Sequence, residues 1–343
     1  MFSLRGWRQG PVLPVKGLLI FFLLLGVILG GTYLYLRAPV DREAKTKVVL
    51  ISPGQGLGET ATTLKKEGII RSELLFLYLA KQRGLEGKLR PGEYRLSGAM
   101  PLEEVVRILA EGRQVQYRVT IPEGYTLMQI AELLDKKGLA DKERFLQVAA
   151  TADFDYPFLQ GVPAGEKRLE GYLFPDTYFF TRTMGEKAII NTMLKRFARE
   201  LTPDFQSKLA KSGLTLHQAV TLASIIEREA KKPEDRPLVS AVFHNRLKKG
   251  MKLESCATVQ YVLGPPVKKV LSKKDISIDS PYNTYKYPGL PPGPISNPGR
   301  ASLLAAVEPA PVDYLYFVAR PDGYNEFSTT FAQHEAAKKK YLP

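Results

Sequence analysis

A long uncharged run lies near the amino end of the chain. Residues 17–36 carry no charged side chain over twenty positions, and about 20 apolar residues are what an α-helix needs to span a bilayer. Three basic residues and no acidic one precede the run, which predicts a cytoplasmic amino terminus and an extracytoplasmic remainder. A cleaved signal peptide is the alternative, but its apolar core would be shorter and end in small residues, whereas this run ends in GTYLYLRAP. We therefore predict a cytoplasmic tail at residues 1–16 and an uncleaved transmembrane signal anchor at residues 17–36.

The next pattern is a repeat with an offset of seventy residues. VLISPGQGLGETATTLKKEGIIRSELLF begins at Val49, and VTIPEGYTLMQIAELLDKKGLADKERFL begins at Val119. Each copy predicts a short strand, a glycine turn, an amphipathic helix that ends at a glycine, and a second helix. Residues 90–112 add a strand and a further helix. Residues 46–113 are therefore predicted to form a small α+β module with strand–helix–helix–strand order.

The remainder of the chain, residues 114–343, predicts a larger domain of mixed α/β character, so the fold class is α+β. Its tail from Lys274 is dense in Pro, Gly, Asn and Tyr. This composition favours ordered loops around a cleft, since a disordered linker, which is the alternative, rarely carries so many tyrosines. The regular elements predicted in this domain are helices within residues 187–212, 216–230 and 236–249, a hairpin of residues 313–319 and 326–329, and a short basic helix at the carboxyl end.

One acid stands out in the second of these helices, within LASIIEREA. At roughly 100° per residue, Leu216, Val220 and Ala223 lie within about 40° of Glu227 on the helix circumference, whereas Glu229 points elsewhere. Apolar residues surround almost the whole helix, which predicts a central, buried position. A buried carboxyl near a helix carboxyl end should resist ionisation, as general-acid chemistry on a sugar bond requires. The alternative is a buried acid paired with a basic residue for structural reasons.

Charge and composition narrow the remaining chemistry. The chain has 49 Lys and Arg against 35 Asp and Glu, and a basic extracytoplasmic domain suits anionic polymers and membrane surfaces. Nucleic acid is not expected as a partner of a domain anchored outside the cytoplasm. Cys256 is the only cysteine, so no intramolecular disulfide exists. The histidines (His217, His244 and His334) are scattered without metal-binding spacing, so neither a metal site nor a cofactor is expected.

Five motifs in order resemble one family. They are LEGYLFPDTY from Leu169, ASIIERE from Ala223, NRL from Asn245, YNTY from Tyr282 and GLPPGPISNPG from Gly289. Together they resemble the MltG, or YceG-like, family of membrane-bound endolytic murein transglycosylases. The resemblance covers nearly the whole chain, including the anchor and a LysM-like module at residues 46–113, for which glycan binding and a role as a rigid spacer are both open.

The resemblance implies cleavage of the β-1,4 bond between N-acetylmuramic acid and N-acetylglucosamine within peptidoglycan strands. The products would carry 1,6-anhydro ends, and the reaction would terminate elongation of nascent chains. Because the C6 hydroxyl of the sugar attacks, one carboxyl can donate a proton and then accept one, and the motif's catalytic acid maps onto Glu227. Family analogy adds glycan polymerases and transpeptidases as partners and a single-pass position in the plasma membrane. The alternative function is a non-catalytic peptidoglycan-binding scaffold for the synthesis machinery.

Further site residues are expected from the same motifs. The aromatics of the first motif could stack on sugar faces, and Glu170 could orient the catalytic acid or bind an N-acetyl group, although plain packing is the alternative for Phe174. Some members of the family that the chain resembles have Asp where this chain has Cys256, so a buried structural thiol is expected there. The predicted substrate-binding residues are Glu170, Tyr172, Phe174, Asp176, Asn245, Thr258, Gln260, Tyr261, Asn283 and Tyr285.

Overall fold

The computed structural model describes residues 15–268 and 270–341. Most of the predicted cytoplasmic tail, residues 1–14, lies outside the described residues. The chain divides into two compact units, Met1–Gln116 and Tyr117–Pro343. Mixed helix and strand content agrees with the predicted fold class.

The first unit begins with a long exposed helix. Among the described residues, the helical segment Gly17–Arg37 is long and apolar enough to cross a membrane, with a mean hydropathy of 2.3. The other elements follow in strand–helix–helix–strand–helix order. The bounds in this unit are α1 Val15–Arg37, β1 Lys47–Ile51, α2 Leu57–Lys66, α3 Glu73–Gln82, β2 Gly92–Leu96 and α4 Leu102–Glu111.

A small core holds the first unit together. Strands β1 and β2 pair antiparallel, and their inward residues pack on α2, α3 and α4. The unit extends past the predicted end at residue 113, because Val115 N donates to the Glu93 carbonyl at 2.7 Å and Gln114 bridges to Tyr94. These contacts add a short third segment beside β2.

The segment between α1 and β1 is fixed to this unit. Arg71 Nη2 donates to the carbonyls of Pro39 at 2.7 Å and Val40 at 2.9 Å. Ser97 Oγ donates to the Ala44 carbonyl at 2.7 Å. The chain that leaves the apolar helix therefore packs against the module instead of forming a free linker.

The second unit repeats the opening of the first and then adds helices. Strand, loop and two helices follow one another as predicted from the seventy-residue offset, and the partner strand β4 comes after a long insertion that carries LEGYLF. The bounds in this unit are β3 Tyr117–Thr120, α5 Leu127–Lys136, α6 Lys142–Thr151, β4 Thr177–Phe180, α7 Glu186–Ala198, α8 Pro203–Ser212, α9 Leu216–Glu229, α10 Arg236–Lys248, α11 Cys256–Leu263, α12 Lys273–Ile276, α13 Arg300–Val307, β5 Tyr316–Ala319, β6 Asn325–Ser328 and α14 Phe331–Tyr341.

Most predicted elements of this unit are present, with one subdivision. Helix α10 and the β5–β6 hairpin match their predicted positions closely, as does the basic helix α14. The helical pattern of residues 187–212 is two helices, α7 and α8. The break occurs because Pro203 starts α8 and Thr202 caps it by accepting from Phe205 N at 3.2 Å.

Helix α9 is the centre of the second unit. Its residues 219–226 are all buried, which confirms the prediction of a central, buried helix. It packs against α13, α10 and α11. The side chains near its carboxyl end are therefore placed where three other helices begin.

Each unit has a hydrophobic core of its own, so we expect Tyr117–Pro343 to fold without the first unit. The buried cluster of the second unit runs from Val119 to Val307 and draws on no residue before Tyr117. A fragment of residues 117–343 should show one cooperative thermal transition and native near-ultraviolet circular dichroism. Binding of a hydrophobic dye together with a non-cooperative melt would contradict separate folding.

Candidate active site

Glu227 lies two residues before the end of α9, and its side chain is only 6% exposed. Its carboxylate accepts hydrogen bonds from Arg236 Nη2 at 3.0 Å and from Gly299 N at 2.9 Å. Arg236 is the first residue of α10, and Gly299 immediately precedes α13. Three helix ends therefore meet at this carboxylate.

Arg236 reaches Glu227 because the connection between α9 and α10 is short. The chain reverses through a 3₁₀ turn, Pro233–Asp235, which brings the start of α10 back beside the end of α9. The guanidinium is nearly buried, and its Nε donates to Ser302 Oγ on α13 at 3.0 Å. Arg236 is thus held between the acid of α9 and the first turn of α13.

These surroundings correct the apolar environment expected from the periodicity of α9. A guanidinium and the amino end of α13 both favour a negative charge on Glu227, and they oppose the effect of the carboxyl end of α9. The alternative of a buried acid paired with a basic residue describes the observed geometry. The periodicity of α9 could not predict these two donors, because Arg236 and Gly299 belong to other parts of the chain.

A second acid lies beside this pair. Glu123, in the loop between β3 and α5, places Oε2 at 3.6 Å from Arg236 Nη2, and its side chain is 49% exposed. Partial burial raises the pKa of Glu123, the charge of Glu227 raises it further, and Arg236 opposes both effects. Within residues 15–268 and 270–341, no third His, Cys, Asp or Glu joins them in a group that could hold a metal ion.

Glu123 was not anticipated from the sequence, although the repeat contains a signal for it. At the offset of seventy residues, Glu123 occupies the position of Pro53, and Gly124 occupies that of Gly54. The two copies therefore share the glycine turn and differ by an acid immediately before it. Because exposed loops often carry binding and catalytic residues, an acid present at this turn in only one of the two copies is a candidate functional residue.

Because Gly299 has no side chain, the Glu123 carboxylate can occupy the space beside its Cα atom. Its backbone dihedrals, φ −77° and ψ 171°, are open to any residue. A side-chain carbon on Gly299 would overlap with Glu123 Oε1. The glycine is therefore required for close approach and not for backbone conformation.

Asn297 fixes the loop that carries Glu123. Its N–H donates to the Tyr125 carbonyl at 2.8 Å, and its own carbonyl accepts from Gly124 N at 2.9 Å. The side-chain Nδ2 also donates to the Tyr125 carbonyl, and Oδ1 accepts from Leu173 N at 2.8 Å. One buried asparagine thus connects the Glu123 loop, the LEGYLF segment and the loop before α13.

Glu170 supports the same arrangement. Its carboxylate is buried and accepts from Leu127 N at 2.9 Å, Asn297 Nδ2 at 3.2 Å and Tyr261 OH at 3.2 Å. Burial raises the pKa of Glu170 to about 7, against the effect of these hydrogen bonds and of Lys167. Glu170 therefore orients the loop and the start of α5, and its partners do not include Glu227.

Besides Glu170, four predicted substrate-binding residues are buried in the core. The Tyr172 hydroxyl bonds to His217 Nδ1 at 2.8 Å, and Asn283 Nδ2 donates to two backbone carbonyls. Because these side chains are buried, the expectation that they contact a glycan does not fit this conformation, and packing accounts for them. The four are Tyr172, Phe174, Thr258 and Asn283.

Three further residues of the predicted set are committed to protein contacts. Asp176 pairs with Arg196 Nε at 2.5 Å. Asn245 Nδ2 donates to the carbonyls of residues 312 and 314. Gln260 Nε2 donates to the Lys268 carbonyl, and Gln260 Oε1 accepts from Lys268 N. These polar groups hold loops together, so contact with a ligand would require them to exchange partners.

Two tyrosines form the partly exposed aromatic surface of this region. The rings of Tyr261 and Tyr282 lie 5.2 Å apart, and Lys167 Nζ lies 4.5 Å and 4.7 Å from their centroids. Tyr261 belongs to the predicted set, whereas Lys167 does not. Two adjacent aromatic rings beside a cation suit both the apolar face of a sugar and an anionic substituent.

The exposed thiol of Cys256 contradicts the expectation of a buried one. Its Sγ lies 3.1 Å from the hydroxyl of Tyr285, a residue expected to bind substrate. Next to it, Glu229 accepts from Ser255 Oγ at 2.5 Å and Ala257 N at 3.1 Å. Glu229 therefore points away from Glu227, as expected, and stabilises the start of α11.

Comparison with known proteins identifies the family. Residues 49–340 match the model of the YceG-like family. The chain belongs to the YceG-like family. The resemblance inferred from the five motifs is thereby confirmed, and Glu123, Glu227 and Arg236 all lie within the matched residues.

Two relatives and one solved YceG-like structure resemble the chain over most of its length. "Endolytic murein transglycosylase" of Bacillus subtilis (strain 168) is 37% identical over 92% of this chain and 91% of the relative. The protein of that name from Streptococcus pneumoniae serotype 2 (strain D39 / NCTC 7466) is 34% identical over 89% of this chain and 61% of the relative. A crystal structure of a yceG-like protein from Listeria monocytogenes superposes with a TM-score of 0.57, 34% identity and coverage of 86% of this chain and 100% of that chain.

The raised pKa of Glu170 predicts a pH-dependent stability. The folded state holds a proton between the ordinary value of 4.5 and about 7 that the unfolded state releases. The free energy of unfolding should therefore fall as pH rises through this window, by about 3 kcal/mol in total. Glu170→Gln keeps an oxygen to accept from Leu127 N and should remove this slope in urea unfolding of residues 117–343.

Glu132→Gln is the control for this measurement, since Glu132 is exposed and pairs with Lys142 on the surface. Its stability should follow the wild-type pH dependence. Parallel curves for wild type and Glu170→Gln would show that the Glu170 carboxyl does not titrate in the folded state as described.

Proposed function

We propose that this protein is an endolytic lytic transglycosylase. It cleaves the β-1,4 bond between N-acetylmuramic acid and N-acetylglucosamine within peptidoglycan strands and leaves 1,6-anhydro ends. Family membership and the shared name of the curated relatives support this activity. The observation that carries it is the nearly buried carboxyl of Glu227 in the ASIIERE motif, held by Arg236 and Gly299 N.

A single carboxyl can perform both proton transfers of this reaction. Glu227 donates its proton to the glycosidic oxygen, and the bond from that oxygen to C1 breaks with its electron pair on the oxygen. The C6 hydroxyl of the same sugar then bonds to C1 and gives its proton to the Glu227 carboxylate. The acid is regenerated, and no water is consumed.

The contacts of Glu227 suit the state between these two transfers. After donation the carboxylate carries a full negative charge in a nearly buried position, which is unfavourable unless donors compensate it. Arg236 and the Gly299 N–H supply two donors that are already in place. The fixed geometry also keeps the carboxylate ready to accept the second proton.

The alternative, a non-catalytic peptidoglycan-binding scaffold, belongs to a different class. A scaffold would retain the partly exposed Tyr261–Tyr282 surface beside Lys167, which can contact a sugar without any chemistry. In a scaffold, the Glu227–Arg236 pair would serve only to hold α9 and α10 together. Glycan cleavage itself therefore distinguishes the two functions.

The first unit is proposed to place this activity at the outer face of the plasma membrane. Gly17–Arg37 would span the bilayer with the amino terminus in the cytoplasm and both units outside. The LysM-like order of β1, α2, α3 and β2 suits a glycan-binding module. The contacts of Arg71 with the segment after α1 suit the alternative of a spacer, since they tie the module to the end of the apolar helix.

Its position and activity suggest a place in cell-wall synthesis. An endolytic enzyme anchored beside the membrane would reach nascent glycan strands, and cutting them would terminate their elongation. Glycan polymerases and transpeptidases are the proposed partners by family analogy.

The decisive variant is Glu227→Gln in the full chain with uncrosslinked glycan strands as substrate. Gln keeps the shape of Glu but can neither donate nor accept the catalytic proton. General acid–base catalysis contributes about 10²–10⁴-fold, and loss of the only such group should reach or exceed the upper end of that range. Mass spectrometry should find internal 1,6-anhydromuramyl ends with wild type and almost none with the variant.

The matched control is Glu132→Gln, which neutralises an exposed Glu of the same unit. Glu229→Gln is less suitable, since it removes the partner of Ser255 and Ala257 at the start of α11. Reducing ends in place of anhydro ends would identify a hydrolase. Strand binding without any cleavage by wild type would support the scaffold.

The anchor prediction concerns topology. A reporter that is active only outside the cytoplasm should work when fused after Pro343, and the mature protein should still contain Trp7 in peptide mapping. The protein should stay in the membrane fraction after a carbonate wash, because a helix of this length and hydropathy inserts stably. A mature amino terminus near Thr32 would instead identify a cleaved signal peptide.

A further inference from the structure

We propose that Glu123 is a positioning residue of the active centre, which shares Arg236 with Glu227 so that the three-residue cluster keeps the proton that Glu227 donates. This inference rests on the proposed transglycosylase function. The cluster consists of Glu123, Glu227 and Arg236. The Arg236 Nη2 atom lies 3.0 Å from a carboxylate oxygen of Glu227 and 3.6 Å from one of Glu123.

The charge of the cluster is the first argument. Two ionised carboxylates beside one guanidinium leave one negative charge without a partner, in a place where Glu227 and Arg236 are nearly buried. Binding of one proton by either acid removes that charge, so two carboxyls that share one guanidinium favour an arrangement with one proton between them. Without Glu123, Arg236 and Glu227 would form a closed neutral pair, and protonation of Glu227 would then break it.

The position of Arg236 is the second argument. Its Nη2 lies 3.0 Å from Glu227 and 3.6 Å from Glu123, so a small movement of one side chain exchanges its partner. When Glu227 holds the proton, Arg236 can pair with Glu123. When Glu227 has given its proton to the glycosidic oxygen, Arg236 can return to Glu227. The guanidinium thus follows whichever acid is ionised.

The charged groups around Glu123 are consistent with this exchange. Glu227 on α9 and Arg236 on α10 act on it directly, and the pKa of Glu123 is raised by partial burial and then by Glu227. Arg228 on α9 is turned to the loop itself, where its Nη1 donates to the Gly124 carbonyl at 3.3 Å. At the amino end of α13, the Gly299 N–H donates to Glu227.

The fold holds Glu123 in this position. Asn297 binds the residues directly after it through Gly124 and Tyr125, and Gly299 leaves room for its carboxylate. A merely solvent-exposed Glu would need neither feature. Its half-exposed side chain also gives the cluster access to solvent protons.

The experiment is the pH profile of glycan-strand cleavage by the full chain. Glu123→Gln removes the extra negative charge, so the cluster should lose its proton more readily. We expect the alkaline limb of the rate to move down by about one pH unit. Above the midpoint of the wild-type alkaline limb, activity should fall about tenfold, while activity on the acidic side stays within a few-fold of wild type. Glu132→Gln, which neutralises an exposed acid elsewhere in the unit, should not move the limb.

A second variant tests the same idea without removing a charge. Gly299→Ala keeps both carboxylates and the backbone N–H that binds Glu227 but fills the space of the Glu123 carboxylate. Displacing Glu123 from Arg236 should move the alkaline limb in the same direction as Glu123→Gln.

The outcomes separate this inference from the proposed function. If Glu227→Gln is inactive but Glu123→Gln has the wild-type profile, or is slower at every pH without a shift, the inference is wrong and the function stands. If wild type does not cleave glycan strands, or Glu227→Gln cleaves them normally, both fail. A limb that shifts in both Glu123→Gln and Gly299→Ala supports the inference.

Discussion

The side chain and backbone of Asn297 form the constraint on which the candidate site depends. Three irregular segments meet there, and irregular backbone can be buried only when its polar groups find partners. Asn297 supplies these partners to Gly124, Tyr125 and Leu173, and Glu170 Oε1 accepts from its remaining amide proton. The positions of Glu123 and Gly299 beside Glu227 follow from this junction, because Gly124, which follows Glu123, is bonded to Asn297, and Gly299 lies two residues after Asn297.

A second carboxylate changes how the chemistry is understood, but it does not convert the site into that of an ordinary hydrolase. Glycoside hydrolases set two acids on opposite sides of the bond, one as proton donor and one as nucleophile or base. Here Glu123 and Glu227 contact the same nitrogen of Arg236, so they lie on one side of one cation. This arrangement suits regulation of a shared proton. It is compatible with a single acid that acts twice while the sugar supplies its own nucleophile.

The sequence predicted the framework better than the site. Periodicity located α9, its burial and the position of Glu227, because those depend on a local pattern of side chains. Arg236 and Gly299 were missed because only tertiary structure brings the starts of α10 and α13 to that acid. Motif residues such as Thr258 and Asn283 were expected to bind substrate, yet they are buried and bonded within loops. Polar residues in a Pro- and Gly-rich motif satisfy the loop backbone as readily as they bind a ligand, and sequence alone does not separate these uses.

The same strand–turn–helix–helix–strand arrangement occurs in both units, but only the second unit carries the candidate site. In both units a strand leads through a glycine turn into two helices, and an antiparallel strand completes the pair. In the first unit the turn carries Pro53, and the second strand follows after a short connection. In the second unit the same turn carries Glu123, and the longer insertion before β4 brings LEGYLF against α9 and the loop before α13. Gly171 permits this contact, since a side-chain carbon there would overlap with Pro294 and Val220. The site therefore arises where an acid in the turn and an insertion in the connection are combined with helices that the first unit lacks.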